Sequence, residues 1–206
     1  MDTTSKTLKA ICLFCGSSPG LNPAFKLAAA ELGTTFAHKN IRLIYGGGHV
    51  GLMGVAADAC LLAGGEVVGV IPRKLMEKEV GHAGLTQMHV VETMHERKAL
   101  MTQLSDGFIA LPGGYGTMDE LFEALTWQQL AYHLLPVGML NVAGFFDHLV
   151  RFLDHARDER MLRDAHRESL IVDTDLTKLI GRMQSFVPPN NEKWLDRAAK
   201  ENIVEP

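Results

Sequence analysis

The sequence predicts an α/β protein with a single domain: a Rossmann-like, doubly wound parallel sheet with helices on both faces. First, apolar runs typical of strands alternate with helical patterns along the 206 residues. Second, these runs are apolar throughout, as expected for parallel strands that are buried on both faces. Third, two glycine-rich segments each follow a strand and precede a helix, which is where such folds bind ligands.

The predicted elements follow one another with short connections. A strand at residues 8–15 precedes a helix that begins at Pro23, has Asn22 as its N-cap and ends near residue 39. The further strands are predicted at residues 41–45, 66–71, 88–92, 107–111, 137–140 and 170–172. The further helices are predicted at residues 51–63, 95–104, 117–131 and 145–158, and from about residue 175. Residues 73–85 show no regular pattern.

These patterns predict three parts of the chain. Residues 1–8 form an N-terminal extension, residues 9–186 form the folded domain, and residues 187–206 form a tail with a polar helix near residues 192–200. The folded part is long enough to bury a core without disulfide staples.

Composition excludes several classes of function. Lys and Arg number 20 and Asp and Glu number 24, so the net charge of −4 argues against a nucleic-acid partner. No apolar run reaches the roughly 20 residues of a membrane helix, so we expect no membrane partner. Three cysteines form no disulfide framework, which predicts a cytoplasmic protein. The nine histidines lack metal-ligand spacing, so we expect no metal site.

Cys12 and Cys15 form a C-x-x-C pair in the first predicted strand. Such a pair is found in redox proteins. Cysteine also packs as a small hydrophobic residue, and the surrounding apolar run AICLFC favours that interpretation.

The first glycine-rich segment, GGGHVGLMG at residues 46–54, contains G-x-G-x-x-G between a strand and a helix. This is the context of a dinucleotide-binding fingerprint. The acid expected about 20 residues later would be Glu66, but it lies at the wrong end of its predicted strand. Arg73 lies at the correct end and could bind a 2′-phosphate, so an NADP-binding oxidoreductase stays open. The segment favours phosphate binding more than NADP binding, and a tight turn that packs the helix closely on the strand is the alternative explanation of the glycines.

The second glycine-rich segment, PGGYGT at residues 112–117, also joins a strand to a helix. Glycines let backbone N–H groups approach an anion, and a helix N-terminus attracts negative charge. The segment therefore predicts a phosphate site. Thr117 and Glu120 could instead form a capping box. Glu120 and Glu123 share a helix face, and this repulsive pair makes sense if a cationic group comes between them.

Arg97 lies on the apolar stripe of its predicted helix, between Met94 and Met101. A buried guanidinium needs a partner. Arg97 either extends along the apolar face to place its charge in solvent, or pairs with Glu92 or Glu96, or points into the site and holds an anion or a ribose.

Four segments resemble those of the Lonely Guy (LOG) family of cytokinin riboside 5′-monophosphate phosphoribohydrolases. PGGYGTMDE at residues 112–120 is similar to the family signature PGGxGTxxE, and MHERKALM, CGSS and GGGHVGLMG resemble further family segments. The resemblance covers residues 9–184. It implies a Rossmann-like homodimer without cofactor that cleaves the N-glycosidic bond of adenine-type nucleoside 5′-monophosphates, including AMP, to free base and ribose 5-phosphate.

The resemblance also implies the site residues. It puts catalysis on Arg97 and Glu120. It puts substrate contacts on Glu79, Arg97, Lys98, Gly114, Tyr115, Gly116, Thr117, Met118, Asp119, Glu120 and Thr126. The phosphate argument adds Gly113, and the further candidates for phosphate contact, or for support behind the substrate, are Gly16, Ser17, Gly47, Gly48 and Glu123.

Two other interpretations are connected with this resemblance. Family members often carry the older label lysine decarboxylase, but nothing identifies a Schiff-base lysine, and Lys98 is better explained as a partner of a phosphate or a carboxylate. A non-enzymatic carrier of a nucleotide or of the molybdenum cofactor is the alternative function, because such carriers resemble this fold and also use glycine loops.

Overall fold

The computed structural model describes residues 7–79 and 81–189. In these residues the strands are β1 (Ala10–Phe14), β2 (Arg42–Tyr45), β3 (Val67–Pro72), β4 (Gln87–Val91), β5 (Phe108–Ala110), β6 (Val137–Leu140) and β7 (Leu170–Asp173). The helices are α1 (Pro23–His38), α2 (Gly51–Leu62), α3 (Arg73–Glu79), α4 (Met94–Gln103), α5 (Tyr115–Gln129), α6 (Asp147–Asp158), α7 (Asp164–Ser169) and α8 (Leu176–Gln184). A 3₁₀ turn occupies Val142–Gly144.

The strands form one parallel sheet in the order β4-β3-β2-β1-β5-β6-β7. The chain runs outward from β1 to β4, then crosses back and continues from β5 to β7. The connections that leave β1 and β5 therefore diverge, and the carboxyl ends of these strands form the switch point where such sheets bind ligands. The predicted fold class is confirmed.

Two apolar clusters lie on opposite faces of the sheet. One contains buried side chains of α1, α2 and α8, such as Leu32 and Leu179. The other contains buried side chains of α4, α5 and α6, such as Met101 and Leu121. Because both faces are covered, the strands need apolar residues at every position, which is why their sequences do not alternate.

Cys12 and Cys15 lie in different clusters. Side chains three residues apart on a strand point to opposite faces of the sheet, and Cys12 joins the cluster with α5 while Cys15 joins the one with α1. Both thiols are free and buried. The interpretation as packing residues is confirmed, and this geometry does not suit a redox pair.

Local capping signals set several helix starts. The Asn22 side chain accepts a hydrogen bond from the Ala24 amide at 3.0 Å and Pro23 is the first helical residue, as predicted. Thr93 caps α4 in the same way by accepting from the Glu96 amide. These hydrogen bonds define the residues at which α1 and α4 begin.

Three predictions need correction, and one helix was not predicted. Residues 73–85 were expected to be irregular, but they contain α3, whose short length hides its period. Helix α7 has too few residues to show a period and was missed. The helix predicted from residue 145 begins at Asp147, after the 3₁₀ turn. Helix α5 begins at Tyr115, two residues earlier than predicted, with Gly114 as an N-cap that has no side-chain hydrogen bond. Thr117 is therefore not an N-cap, and the capping box is wrong.

The N-terminal residues 1–6 and the helix predicted near residues 192–200 lie outside the described residues. Within the described part, none of the helices combines the length and the apolar character required to cross a bilayer.

Candidate active site

A cavity of about 240 Å³ opens at the switch point, beyond the carboxyl ends of β1 and β5. Its wall includes the loop after β1, the loop after β2, helix α4 and the first turn of α5. The lining residues include Cys15, Gly16, Ser17, Gly46, Met53, Leu75, Met94, Arg97, Gly114, Tyr115, Gly116, Thr117, Asp119 and Glu120. Its volume lies just below the roughly 300–1,000 Å³ of typical ligand sites, which suits a ligand smaller than a dinucleotide.

Arg97 and Glu120 face each other in this cavity. The Nη2 atom of Arg97 lies 3.5 Å from Oε1 of Glu120, and the two side chains are only 11% and 12% exposed. Glu92 is bound to Arg73, and the Glu96 carboxylate accepts from the Glu92 amide. Arg97 therefore forms its ion pair inside the cavity rather than with its neighbours in sequence.

The position of Arg97 depends on a glycine after β2. A Cβ atom on Gly46 would overlap the guanidinium, so a larger residue there would displace Arg97. The Nε atom of Arg97 is buried and has no hydrogen-bond partner among the described residues. An unpaired buried donor is unfavourable by about 1–3 kcal/mol. An oxygen atom of a ligand would satisfy it.

Glu120 changes its protonation state close to neutral pH. Burial raises the pKa of this carboxyl to about 7, while the charge of Arg97 lowers it and that of Asp119 raises it. A group that gains and loses a proton near neutral pH is suited to general acid or general base catalysis. The cavity therefore holds a titratable carboxyl next to a fixed cation.

Lys98 holds two carboxylates behind Glu120. Its Nζ atom lies 2.9 Å from Oε1 of Glu123 and 3.3 Å from Oδ2 of Asp119. Burial by itself lowers the pKa of Lys98, but the hydrogen bonds to Glu123 and Asp119 outweigh burial and raise it. Lys98 is thus a partner of carboxylates, as the sequence predicted. Its positive charge also offsets the repulsion between Glu120 and Glu123.

The start of α5 provides free backbone donors. The first amides of a helix have no partner within the helix, and no side chain caps this one. The Cβ positions of Gly114 and Gly116 have no atom within 4 Å, so a ligand can approach the backbone there. Tyr115, between them, is almost fully exposed. Together with the helix dipole, these amides are suited to bind an anion at the mouth of the cavity.

The other predicted residues of this segment take supporting positions. Gly113 lies beneath the loop, where a Cβ atom would overlap the buried Thr117 hydroxyl. The side chain of Met118 packs against the apolar cluster of α5. Thr126 donates its hydroxyl to the Phe122 carbonyl and lines a separate apolar depression, away from the cavity. The side chain of Glu79 lies outside the described part of the chain.

The first glycine-rich segment mainly makes packing contacts with other residues of the chain and contributes little to the cavity. The Leu52 amide at the start of α2 donates to the Gly16 carbonyl at 3.0 Å, so this helix N-terminus binds backbone. A Cβ atom on Gly51 would overlap the backbone of Ser17. Gly47 packs against Ile71 and Met88. Of this segment, the cavity is lined by Gly46 and Met53, and not by Gly47 or Gly48.

Arg73 and Glu66, the two residues considered for dinucleotide binding, each form an ion pair with another side chain. Arg73 forms an ion pair with Glu92 at 2.8 Å. Glu66 forms an ion pair with Arg42 at 2.8 Å. Both residues lie at the amino ends of β2 and β3, whereas the cavity lies at the carboxyl ends of the strands.

Several apolar residues of the wall were missed by the sequence analysis. Leu13, Met53 and Leu75 line the cavity together with Met94. Leu75 lies in α3, which was expected to be irregular, and no local pattern separates it from core residues. Met53 is the third residue of the helix after the first glycine-rich segment. This position was the feature of the sequence from which its place in the cavity wall could have been predicted.

Comparisons with known proteins give consistent results. A family model described as "Possible lysine decarboxylase" matches residues 53–183. The cytokinin riboside 5′-monophosphate phosphoribohydrolase LOG1 of Arabidopsis thaliana is 44% identical over 91% of this chain and 88% of its own length. LOG7 of the same plant is 42% identical over 93% of this chain and 88% of its own. A probable enzyme of this name from Oryza sativa subsp. japonica, LOGL9, is 44% identical over 86% and 78%.

Solved structures with a similar fold include molybdenum cofactor proteins. The carrier protein of Chlamydomonas reinhardtii superposes with a TM-score of 0.63, at 22% identity over 84% of this chain and 94% of that one. The cofactor-binding protein of Rippkaea orientalis gives a TM-score of 0.60, at 20% identity over 94% and 98%. At this level of identity the similarity shows a shared fold.

Proposed function

This chain belongs to the LOG family of cytokinin riboside 5′-monophosphate phosphoribohydrolases, and we propose that it hydrolyses the N-glycosidic bond of adenine-type nucleoside 5′-monophosphates, AMP included. The products are the free base and ribose 5-phosphate. The observation that carries this proposal is the nearly buried pair of Arg97 and Glu120, set beside the uncapped start of α5.

The cavity has the three parts that this reaction needs. The amides of Gly114, Tyr115 and Gly116 bind the 5′-phosphate at the mouth. The apolar side chains of Leu75 and Met94 line the wall and provide packing for a base. The carboxyl of Glu120 lies within the cavity, where the ribose would join these two ends.

Each residue of the pair has its own role. Cleavage of the glycosidic bond develops positive charge on the ribose, as in an oxocarbenium ion. The Glu120 carboxylate stabilises this charge and accepts a proton from the attacking water. Arg97 holds Glu120 with Nη2, and its unpaired Nε binds a ribose oxygen. The water adds to the anomeric carbon, the C–N bond breaks, and the base leaves with the bonding electron pair and takes up a proton.

A decarboxylase activity, as in the description of the family model, has no support in this geometry. A Schiff base requires a lysine that loses its proton easily. Lys98 is bound to two carboxylates and its pKa is raised, so it remains charged.

The two alternative functions are less well supported. An NADP site needs the N-terminus of α2 for a pyrophosphate, but the Leu52 amide in its first turn already donates to the Gly16 carbonyl. The relatives at 42–44% identity are named phosphoribohydrolases, whereas the molybdenum cofactor proteins share 20–22% identity. A carrier would also have no use for a carboxyl that titrates near neutral pH inside its cavity.

We further propose that the enzyme is a cytoplasmic homodimer. The free thiols of Cys12, Cys15 and Cys60 are typical of a reducing compartment. Exposed apolar side chains, including Phe122 and Phe152, lie on the face of α5 and α6. A second copy on this face would bury them and would bring Thr126 into the interface.

The proposed function is tested by incubating the purified protein with AMP and with isopentenyladenosine monophosphate and measuring free base by chromatography. We expect base release by the wild type, no release by Glu120→Gln, and for Arg97→Ala a loss mainly in kcat/KM of about 100-fold. Glu168→Gln, on the exposed surface of α7, is the matched control. Near wild-type turnover by Glu120→Gln contradicts the assignment, and ligand binding without base release by the wild type indicates a carrier.

A further inference from the structure

Two histidines and one aspartate meet outside the cavity. His49 lies in the loop after β2, Asp58 on α2, and His82 in the connection between α3 and β4. Nε2 of His82 lies 2.9 Å from Oδ1 of Asp58, and Nε2 of His49 lies 4.0 Å from Oδ2 of the same carboxylate. One ligand atom from each residue lies within 4.8 Å of the others.

We propose that His49, Asp58 and His82 bind a divalent transition cation of the zinc class. Imidazole nitrogens favour zinc and its first-row neighbours, whereas magnesium and calcium prefer oxygen ligands. Zinc bonds of about 2.0–2.2 Å in a tetrahedral site place neighbouring ligand atoms about 3.3 Å apart. The distances of 2.9 and 4.0 Å to the two oxygens of Asp58 lie on either side of this value. The three ligand atoms all lie within 4.8 Å of one another, so they need to approach by at most about 1.5 Å to form the site.

The exposure of the three side chains suits a site that fills from solvent. His82 is 7% exposed, whereas His49 and Asp58 are 58% and 51% exposed. A cation can therefore reach the ligands and keep water in its remaining position. The cysteines, which would compete for zinc, are all buried.

The hydrogen bonds of His82 define what the cation must displace. The Gly84 amide donates to Nδ1 of His82 at 3.2 Å, so Nε2 carries the ring proton and donates to Asp58. When a cation takes Nε2, the ring proton moves to Nδ1 and the Gly84 amide turns away, which glycine permits.

The cation would link the connection between α3 and β4 to the loop after β2, and that loop borders the active site. The His82 amide already donates to the Gly47 carbonyl, and Gly48 pairs with Gly81. The same loop contains Gly46, which contacts the Arg97 guanidinium. Occupation of the site therefore stabilises the loop that positions Arg97, and it should raise the Tm.

The test is a calorimetric titration of the full chain, freed of any affinity tag and treated with a chelator, with ZnCl₂ and, separately, MgCl₂. We expect one zinc per chain and no magnesium binding. The exposed change His49→Ala and the near-isosteric Asp58→Asn should each weaken zinc binding at least about tenfold. The control is His155→Ala, an exposed histidine on α6, which should bind as the wild type does. Visible absorption of the Co²⁺-loaded protein, lost in His49→Ala, reports the site directly.

Three results would each overturn the proposal: a wild type that binds no zinc, His49→Ala and Asp58→Asn variants that bind it unchanged, or a His155→Ala variant that is weakened as much as they are. None of these readouts depends on nucleotide hydrolysis, so the proposal is tested independently of the proposed function.

Discussion

Glu120→Gln should make the folded protein more stable above neutral pH while it abolishes hydrolysis. Burial raises the pKa of this carboxyl from 4.5 to about 7, so its pKa in the folded state lies above its unfolded value. The folded state therefore binds more protons between these pH values, and its contribution to stability falls as the pH rises from about 4.5 to about 7. One pKa unit corresponds to about 1.4 kcal/mol. The ionised carboxylate thus destabilises the folded state by about 3 kcal/mol at pH 8.

Glutamine resembles the protonated carboxyl in shape and removes this penalty. The pKa already includes the attraction of Arg97, so loss of that attraction needs no further correction. We expect Glu120→Gln to raise the free energy of unfolding by about 2–4 kcal/mol at about pH 8, and to leave it nearly unchanged at about pH 4.

Denaturant unfolding of both proteins at the two pH values, at equal protein concentration, measures this difference. Glu168→Gln is the control for loss of an exposed charge and should change stability little at either pH. If Glu120→Gln is as stable as the wild type or less stable at pH 8, then the folded protein stabilises the carboxylate, and the argument from burial is refuted.

The remaining predictions concern the cavity wall. Gly46→Ala should displace the Arg97 guanidinium and reduce kcat/KM about as much as Arg97→Ala does, whereas unchanged kinetics would show that Arg97 can move without loss. Gly116→Ala, in the first turn of α5, should raise the free energy of unfolding by about 0.5–1 kcal/mol and raise the KM for AMP, because its Cβ atom enters the open space of the phosphate site. An unchanged KM would place the phosphate elsewhere. Lys98→Met should shift the pKa seen in the pH–rate profile upward, because the charge of Lys98 lowers the pKa of Glu120; a profile that does not move would uncouple the two groups.

Local signals were enough to predict the strands and most of the helices. The side chain of Asn22 and the ring of Pro23 act within a few residues of chain, so the start of α1 could be predicted from the sequence. Helix α5 was harder, since its N-cap is a glycine without a side-chain hydrogen bond, and Thr117 resembled a cap more closely.

Contacts between distant parts of the chain could not be predicted in the same way. The choice between Glu92, Glu96 and a site partner for Arg97 depended on how α4 packs beside α5, which no local spacing determines. The group of His49, Asp58 and His82 was missed because two loops and one helix bring its members together, while their spacing in sequence matches no metal motif.

The uncapped start of α5 has a consequence for the end of the reaction. Side chains cap α1, α4 and α8, but no side chain caps α5, so in the proposed function the ligand phosphate would serve as its cap. That phosphate is common to the nucleotide and to ribose 5-phosphate, so the helix would hold both with similar strength. Its binding energy lowers KM without lowering the barrier to bond cleavage. Ribose 5-phosphate should therefore remain after the base has left, compete with the next nucleotide, and make product departure part of the turnover time.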